Sequence, residues 1–282
     1  MTTATYDPAT ETFLINTPEV GAAKWWVGDL GVYANHAAVF AQLIINGKKY
    51  GIHTFVVPIR DPKTLQLVKG VEAGDIGPKM GFQTKDNGYA IFSNVRIPRK
   101  NMLMKYHVVS PEGNYSIQGD PKISYATMLM TRSYLTKMAF FDAAKGATIA
   151  TRYSLVRTQF KDKSGTEVPV MNYQTQQEKI LPRISEAYAS CFTTQLVNNL
   201  CTSVFEDAKK GKFDQLQEAH IISSGVKAIQ SYDHLKGLEI ARRACGGHGF
   251  HFYNGIVGVL QEYGTIFTLE GTHPTTQVNS LC

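Results

Sequence analysis

The sequence predicts an α+β protein: an antiparallel β-barrel or sandwich-like domain followed by a helical bundle. Three observations carry this reading. Up to about residue 118, short apolar and β-branched runs alternate with Gly, Pro and Asn-Gly punctuation. Beyond residue 123, apolar positions recur at helical spacing over three long stretches. Strands and helices are segregated along the chain rather than alternating, which argues against a parallel α/β sheet. The expected domains are 1–118, a β domain, and 119–282, an α-helical bundle.

In order along the chain, AVFAQLIIN (38–46) and YGIHTFVVPI (50–59) read as strands joined by the hairpin signal NGKKYG. YAIFSNVRIP (89–98) reads as one further strand, preceded by the turn Asp86-Asn87-Gly88, since Asn and Gly tolerate positive φ. From Leu135 through Met138, Ala139, Ala143, Gly146, Ile149, Tyr153 and Val156, steps of three and four mark one helix face, within a helix expected over 123–160. KDKSGTEVP (161–169) reads as a polar loop. A second helix is expected over 173–210, with a kink at Pro182, and a third over 213–244, capped by Gly246-Gly247. Long helices with short connections make a bundle.

Composition narrows the function classes. Lys and Arg exceed Asp and Glu by 29 − 23 = 6, a mild excess that suits an anionic small molecule and is too dispersed for a nucleic-acid surface. Cys191, Cys201, Cys245 and Cys282 lie far apart with no metal spacing, so reduced thiols and no metal are expected. No apolar run approaches the roughly 20 residues a membrane span needs. The first residues, MTTATYDPATETF, lack the pattern of a signal peptide, and the final VNSLC is not the Ser-Lys-Leu type of address.

Four stretches contain residues suited to chemistry. KWWVGDLG (24–31) holds both tryptophans, Trp25 and Trp26. On a strand one would enter the core and the other face a ligand or solvent, beside Gly28. YSLVRTQF (153–160) puts Arg157, Gln159 and Phe160 at a helix end, where Arg157 either complements the helix dipole or binds a phosphate. In ACGGHGF (244–250), a helix precedes the glycines, so this is no dinucleotide fingerprint. His248 has no metal partner at ligand spacing, and Gly246 and Gly247 either form a tight turn or expose backbone N–H groups to a ligand. Glu270, after Ile266-Phe267-Thr268-Leu269, is either a surface carboxylate or a base with a raised pKa.

Taken together and in order, TTATYDPATETFLINTP, KWWVGDLG, NHAAVFAQLI, YGIHTFVVPIR, GDIGPKMGF, DNGYAIFSNVRIPRKNMLMKY, YSLVRTQF, YQTQQEK, ACGGHGF and LEG resemble the peroxisomal-type acyl-CoA oxidases of the acyl-CoA dehydrogenase superfamily. The resemblance covers nearly the whole chain. It implies the acyl-CoA dehydrogenase-like fold, FAD as cofactor, a fatty acyl-CoA and molecular oxygen as substrates, a homodimer with FAD at its interface, and a peroxisomal location. By resemblance, Trp26 and Gly28 lie beside the flavin. Arg157, Gln159 and Phe160 bind the FAD diphosphate of a neighbouring subunit, Gly246 and Gly247 approach its adenosine part, and Glu270 is the catalytic base. The implied reaction is α,β-dehydrogenation of the thioester to a trans-2-enoyl-CoA with formation of hydrogen peroxide, the first step of fatty-acid β-oxidation.

The chain departs from the family pattern in three places. The family's N-terminal helical domain, with its T-E-x-G-H-G segment, and its C-terminal helical domain have no counterpart, so an internal fragment, a truncated gene product or an incomplete gene model is expected. After Glu270 the oxidases continue Gly-[Glu/Asp]-Asn-Thr, whereas here Gly271-Thr272-His273-Pro274 follows, and Pro274 disfavours helix at His273. Where the dehydrogenases often carry Gln, three residues before the glycine pair, this chain has Arg243. The alternatives are a dehydrogenase that passes electrons to a flavoprotein acceptor and a non-catalytic truncated paralogue or scaffold subunit.

Overall fold

The computed structural model describes residues 1–118 and 123–269. Chain contacts divide it into two compact units, Met1–Lys79 with Gln83–Pro121, and Met80–Phe82 with Lys122–Cys282.

The first unit is built from β1 (Thr3–Asp7), β2 (Thr12–Asn16), β3 (Lys24–Gly28), β4 (His36–Ile45), β5 (Lys48–Pro58), β6 (Val71–Asp75), β7 (Asn87–Phe92), β8 (Val95–Pro98), β9 (His107–Val109) and β10 (Tyr115–Ile117). One sheet runs β5-β4-β1-β2-β8 and another β3-β7-β6, while β9 and β10 form a hairpin. Both sheets are open, so the barrel form of the expectation gives way to the sandwich-like form. All pairs are antiparallel except β1 with β4. Alternate residues of both sheets enter one core, including Phe13, Leu43, Phe55, Ala90, Phe92 and Ile97, as half-buried strands require. The β4–β5 hairpin turns on Asn46 (φ 49) and Gly47 (φ 77), two positive-φ residues in succession, which matches the twist of the flanking strands.

The expected single strand 89–98 is two strands. Asn94 takes φ 53, its N–H bonds the Asn16 side chain, and the Ser93 N–H bonds the Gly70 carbonyl at 2.7 Å. This break sends β7 to one sheet and β8 to the other. Apolar alternation on both sides of it imitates one continuous strand in the sequence.

The second unit contains α1 (Ile123–Val156), a hairpin of β11 (Thr158–Lys161) and β12 (Glu167–Pro169), α2 (Gln174–Lys209), α3 (Leu216–Ala244) and α4 (Ile256–Thr268). Leu135, Ala139, Ala150, Ile180, Leu238, Ala241, Tyr263 and Ile266 share its main core. Gly146 lets α1 approach α3 closely, because a Cβ there would lie 2.6 Å from the Leu238 Cδ2. Pro182 lies inside α2, which continues unbroken around it. The first helix stops at Val156 rather than 160. Arg157–Phe160 leaves it into β11, with Phe160 at φ 60, and the expected polar loop is largely the turn of a hairpin. The sequence reading assigns no helix to 256–268. There Gly255 (φ 82) reverses the chain, and the Asn254 Oδ1 accepts from the Ile256 and Val257 N–H groups to start α4. Among the described residues no helix is long and apolar enough to cross a membrane.

A buried polar staple joins the three long helices. The imidazole of His234 on α3 is 3% exposed. It meets the Ser190 Oγ of α2 at 2.7 Å and the Ala139 carbonyl of α1 at 3.2 Å. A carbonyl only accepts, so Nδ1 carries the proton and Nε2 accepts from the serine hydroxyl. Burial lowers the His234 pKa below the usual histidine value. As pH falls below about 6.5, protons therefore bind the unfolded chain first, and stability drops there. Replacement His234→Ala is expected to cost about 1–3 kcal/mol at pH 8. It should also make the loss of stability between pH 7 and 5 shallower, as read from urea midpoints. An equal pH slope in the two proteins would remove His234 from this role.

Candidate functional site

In the second unit, α1 and α3 end where α2 begins, and the side chain of Gln176 fixes that meeting. Its amide nitrogen, in the first turn of α2, donates to the Ser154 Oγ of α1 at 2.9 Å and to the Ala244 carbonyl of α3 at 2.8 Å. Ser154 in turn donates to the Ala150 carbonyl at 2.7 Å. The Tyr173 hydroxyl ties the β11 strand to the same corner through the Gln159 carbonyl at 2.8 Å.

These ties frame a cleft of about 860 Å³. Arg157, Gln159 and Phe160 come to it from β11 and the residue before it, Thr175 and Gln176 from the start of α2, and Arg243 from the end of α3. Gly246, Gly247 and His248 come from the one-turn 3-10 helix that follows α3. Five of the sequence-proposed cofactor residues, Arg157, Gln159, Phe160, Gly246 and Gly247, thus line a single cavity.

The cleft is electropositive by construction. No side chain caps the first turn of α2, so the free N–H groups and positive end of a 36-residue helix lie at its wall. Among the described residues the guanidinium groups of Arg157 and Arg243 form no hydrogen bond or salt bridge. Arg242 differs from its neighbour: it holds Glu239 through two bonds, at 2.7 and 2.6 Å, and this pairing keeps the Glu239 carboxyl below the usual glutamate range. One arginine of the pair thus serves the helix while the other faces the cleft.

The three glycines of GGHG have three different reasons. Gly246 (φ 57) ends α3 in the left-handed region. Gly249 packs on the end of α3, where a Cβ would overlap the Arg242 carbonyl oxygen. Gly247 has neither constraint: its φ is ordinary, and no atom of the described residues lies within 4 Å of where its Cβ would stand. His248 sits beside Tyr153, with ring centroids 5.8 Å apart, and its carbonyl accepts from the Asn254 side chain.

Trp26 and Gly28 lie in the first unit, on β3. The expectation that one tryptophan enters the core is not met, since Trp25 and Trp26 are 56% and 60% exposed. Trp26 takes φ 67, and the β3–β7 register shifts between Lys24 and Val27. That bulge breaks the alternation which would have buried one ring. Trp25 instead stacks on Tyr89 at 5.6 Å. Gly28 is spacious, meeting only the flexible end of Lys85. The loop after it is held firmly: Arg60 donates to the Leu30, Gly31 and Ala34 carbonyls, and Asp86 accepts from the Val32 and Tyr33 N–H groups. Glu270 lies outside the described residues.

Sequence reasoning missed Gln176 and Arg243 as parts of the site. Gln176 is one of several glutamines in YQTQQEK, with nothing local to single it out. Arg243 had a signal, its unlikeness to the family's glutamine, but no geometry to interpret it. The glycine assignment yields a stability test. Gly249→Ala is expected to destabilise the chain by about 3 kcal/mol through overpacking, whereas Gly247→Ala should change thermal stability by less than about 0.5 kcal/mol. Equal losses would show that Gly247 has a structural cause of its own.

The family described as "Acyl-CoA oxidase, C-alpha1 domain" matches residues 125–276. Peroxisomal acyl-coenzyme A oxidase 1 of Cavia porcellus is 44% identical over 271 residues, 96% of this chain and 41% of that protein. The Homo sapiens protein of the same name is 43% identical over the same spans. Acyl-CoA oxidase 1 of Arabidopsis thaliana superposes with a TM-score of 0.94 at 38% identity, over 99% of this chain and 44% of that one. Acyl-CoA oxidase-2 of Caenorhabditis elegans, solved with FAD, ascaroside-CoA and ATP, gives 0.91 at 40% identity, over 96% of this chain and 41% of that one. The chain therefore spans well under half the length of these relatives, and on the family match, the identities and the shared fold it belongs to the acyl-CoA oxidase family.

Proposed function

We propose that this chain is the core of an FAD-dependent acyl-CoA oxidase, acting on a fatty acyl-CoA with molecular oxygen as electron acceptor. The cleft of the second unit carries the reading. Two arginines without ion-pair partners among the described residues, an uncapped helix N-terminus and an unhindered Gly247 meet there. That set fits the diphosphate of a dinucleotide, with the backbone at Gly247 open to close approach by the adenosine part. Exposed aromatics near the cleft, Phe160 (71%), Phe250 (84%) and Tyr253 (90%), support a second copy of the chain as partner, with FAD shared across the interface. Trp26 and Gly28 would present an exposed aromatic face and an open backbone to the flavin of their own subunit. The peroxisomal names of the curated relatives support that location.

The chain's own residues are assigned as follows. Arg157 and Arg243 neutralise the diphosphate, Gly246 and Gly247 leave room for the adenosine part, and Glu270 removes the α-proton of the thioester. The chemistry that FAD supplies when bound is acceptance of a hydride from the β-carbon and passage of the electron pair to oxygen. The products are a trans-2-enoyl-CoA and hydrogen peroxide, the opening step of fatty-acid β-oxidation.

The purified chain, supplied with FAD, is expected to show a flavin absorbance band that bleaches when a fatty acyl-CoA is added without oxygen. Glu270→Gln should keep the band and abolish the bleaching. Arg157→Gln should weaken FAD binding about 10- to 100-fold, the loss of one charge-assisted contact, and reduce its salt dependence. A chain that stays colourless with excess FAD would sink the proposal, and bleaching that survives Glu270→Gln would displace the base.

A further inference from the structure

Lys227 on α3 is the most deeply buried charged side chain among the described residues, at 1% exposed. Withdrawing an ammonium from water is costly, and a methionine would fill a similar volume without that cost. One contact of its Nζ bears directly on the end of α4. The Nζ donates to the carbonyl oxygen of Phe267, at 3.3 Å, in the last turn of α4. The last carbonyls of a helix have no partner within it and carry the negative end of its dipole, so a cation there both satisfies and stabilises that end.

The rest of α4 is registered on α3 by a second polar tie. The hydroxyl of Tyr263, fully buried, donates to the Gln230 carbonyl at 3.1 Å. Ile256, Tyr263 and Ile266 form the buried stripe of α4. Tyr263 therefore anchors the middle of the helix and Lys227 its end. After Thr268 the backbone turns extended, with Leu269 at φ −62 and ψ 141. The segment that begins there carries Glu270 in sequence.

We propose that Lys227 is a positioning residue: by holding the carbonyl of Phe267, three residues before Glu270, it fixes where α4 ends and so sets the starting point of the segment that carries the base. The inference rests on the reading of Glu270 as base. It concerns the ammonium group itself, because the aliphatic part of the side chain could be replaced by any apolar residue of similar length.

The test compares the full chain with Lys227→Met and Lys227→Arg. Amide hydrogen exchange at Thr265–Leu269 is expected to quicken about tenfold or more in Lys227→Met, with the first turns of α4 unchanged. Lys227→Arg should restore slow exchange. In anaerobic bleaching with FAD and a fatty acyl-CoA, the maximal rate of Lys227→Met should fall about tenfold or more at an unchanged half-saturating concentration, and Lys227→Arg should recover most of it. Unchanged exchange at Thr265–Leu269, or faster exchange throughout the second unit, would overturn the proposal. So would a normal bleaching rate in Lys227→Met. If the unmodified chain does not bleach at all, the oxidase reading fails, and the exchange measurement alone still decides whether Lys227 holds the end of α4.

Discussion

One buried carboxamide organises the second unit. The two N–H bonds of Gln176 reach a hydroxyl at the end of α1 and a terminal carbonyl at the end of α3, so three helices that need not meet are held at one corner. The Ala244 carbonyl is one of those a helix leaves without an internal partner, and Gln176 supplies the donor it lacks. Every wall of the cleft follows from this junction. Arg157 comes directly after α1, the GGHG turn directly after α3, and the uncapped first turn of α2 carries Gln176 itself. Gln176 is 9% exposed, so its hydrogen bonds are sheltered from competing water, and an orphaned partner there would cost about 1–3 kcal/mol.

Around that corner, neighbouring residues of one type divide between scaffold and site. Arg242 is held by Glu239 within α3, while Arg243 faces the cleft with no ion pair among the described residues. Gly246 answers to backbone conformation and Gly249 to packing, while Gly247 answers to nothing among the described residues. Gly28 resembles Gly247 in this respect, with only a flexible lysine end nearby. On the proposed reading, a ligand outside the chain supplies the reason for both glycines.

Much of this was legible in the sequence, for identifiable reasons. The long helices declared themselves because apolar residues repeat every three or four positions on a face that must be buried. The β4–β5 hairpin did so because Asn46-Gly47 is one of few dipeptides suited to its turn. The break at Asn94 did not, since one positive-φ residue inside an apolar alternation leaves the pattern intact on both sides. Trp25 and Trp26 misled for a related reason, because the bulge that exposes both depends on pairing with β7, a long-range partner. Helix α4 was hidden by its β-branched, glycine-containing composition, which tertiary packing of Tyr263 and Ile266 overrides. In the site, Arg157 and the glycine pair were recognisable only through the order of motifs. The role of Gln176 lay in two partners 22 and 68 residues distant, which no local pattern encodes.

On the proposed reading, the corner built by Gln176 is the dinucleotide end of a flavin site. A crystal structure of the chain grown with FAD tests it most directly. The adenosine diphosphate half is expected in the cleft, its phosphate oxygens within hydrogen-bond distance of Arg157 and Arg243, and ligand atoms in van der Waals contact with the backbone at Gly247. FAD held elsewhere on the chain, with the cleft empty and both guanidinium groups in solvent, would contradict it.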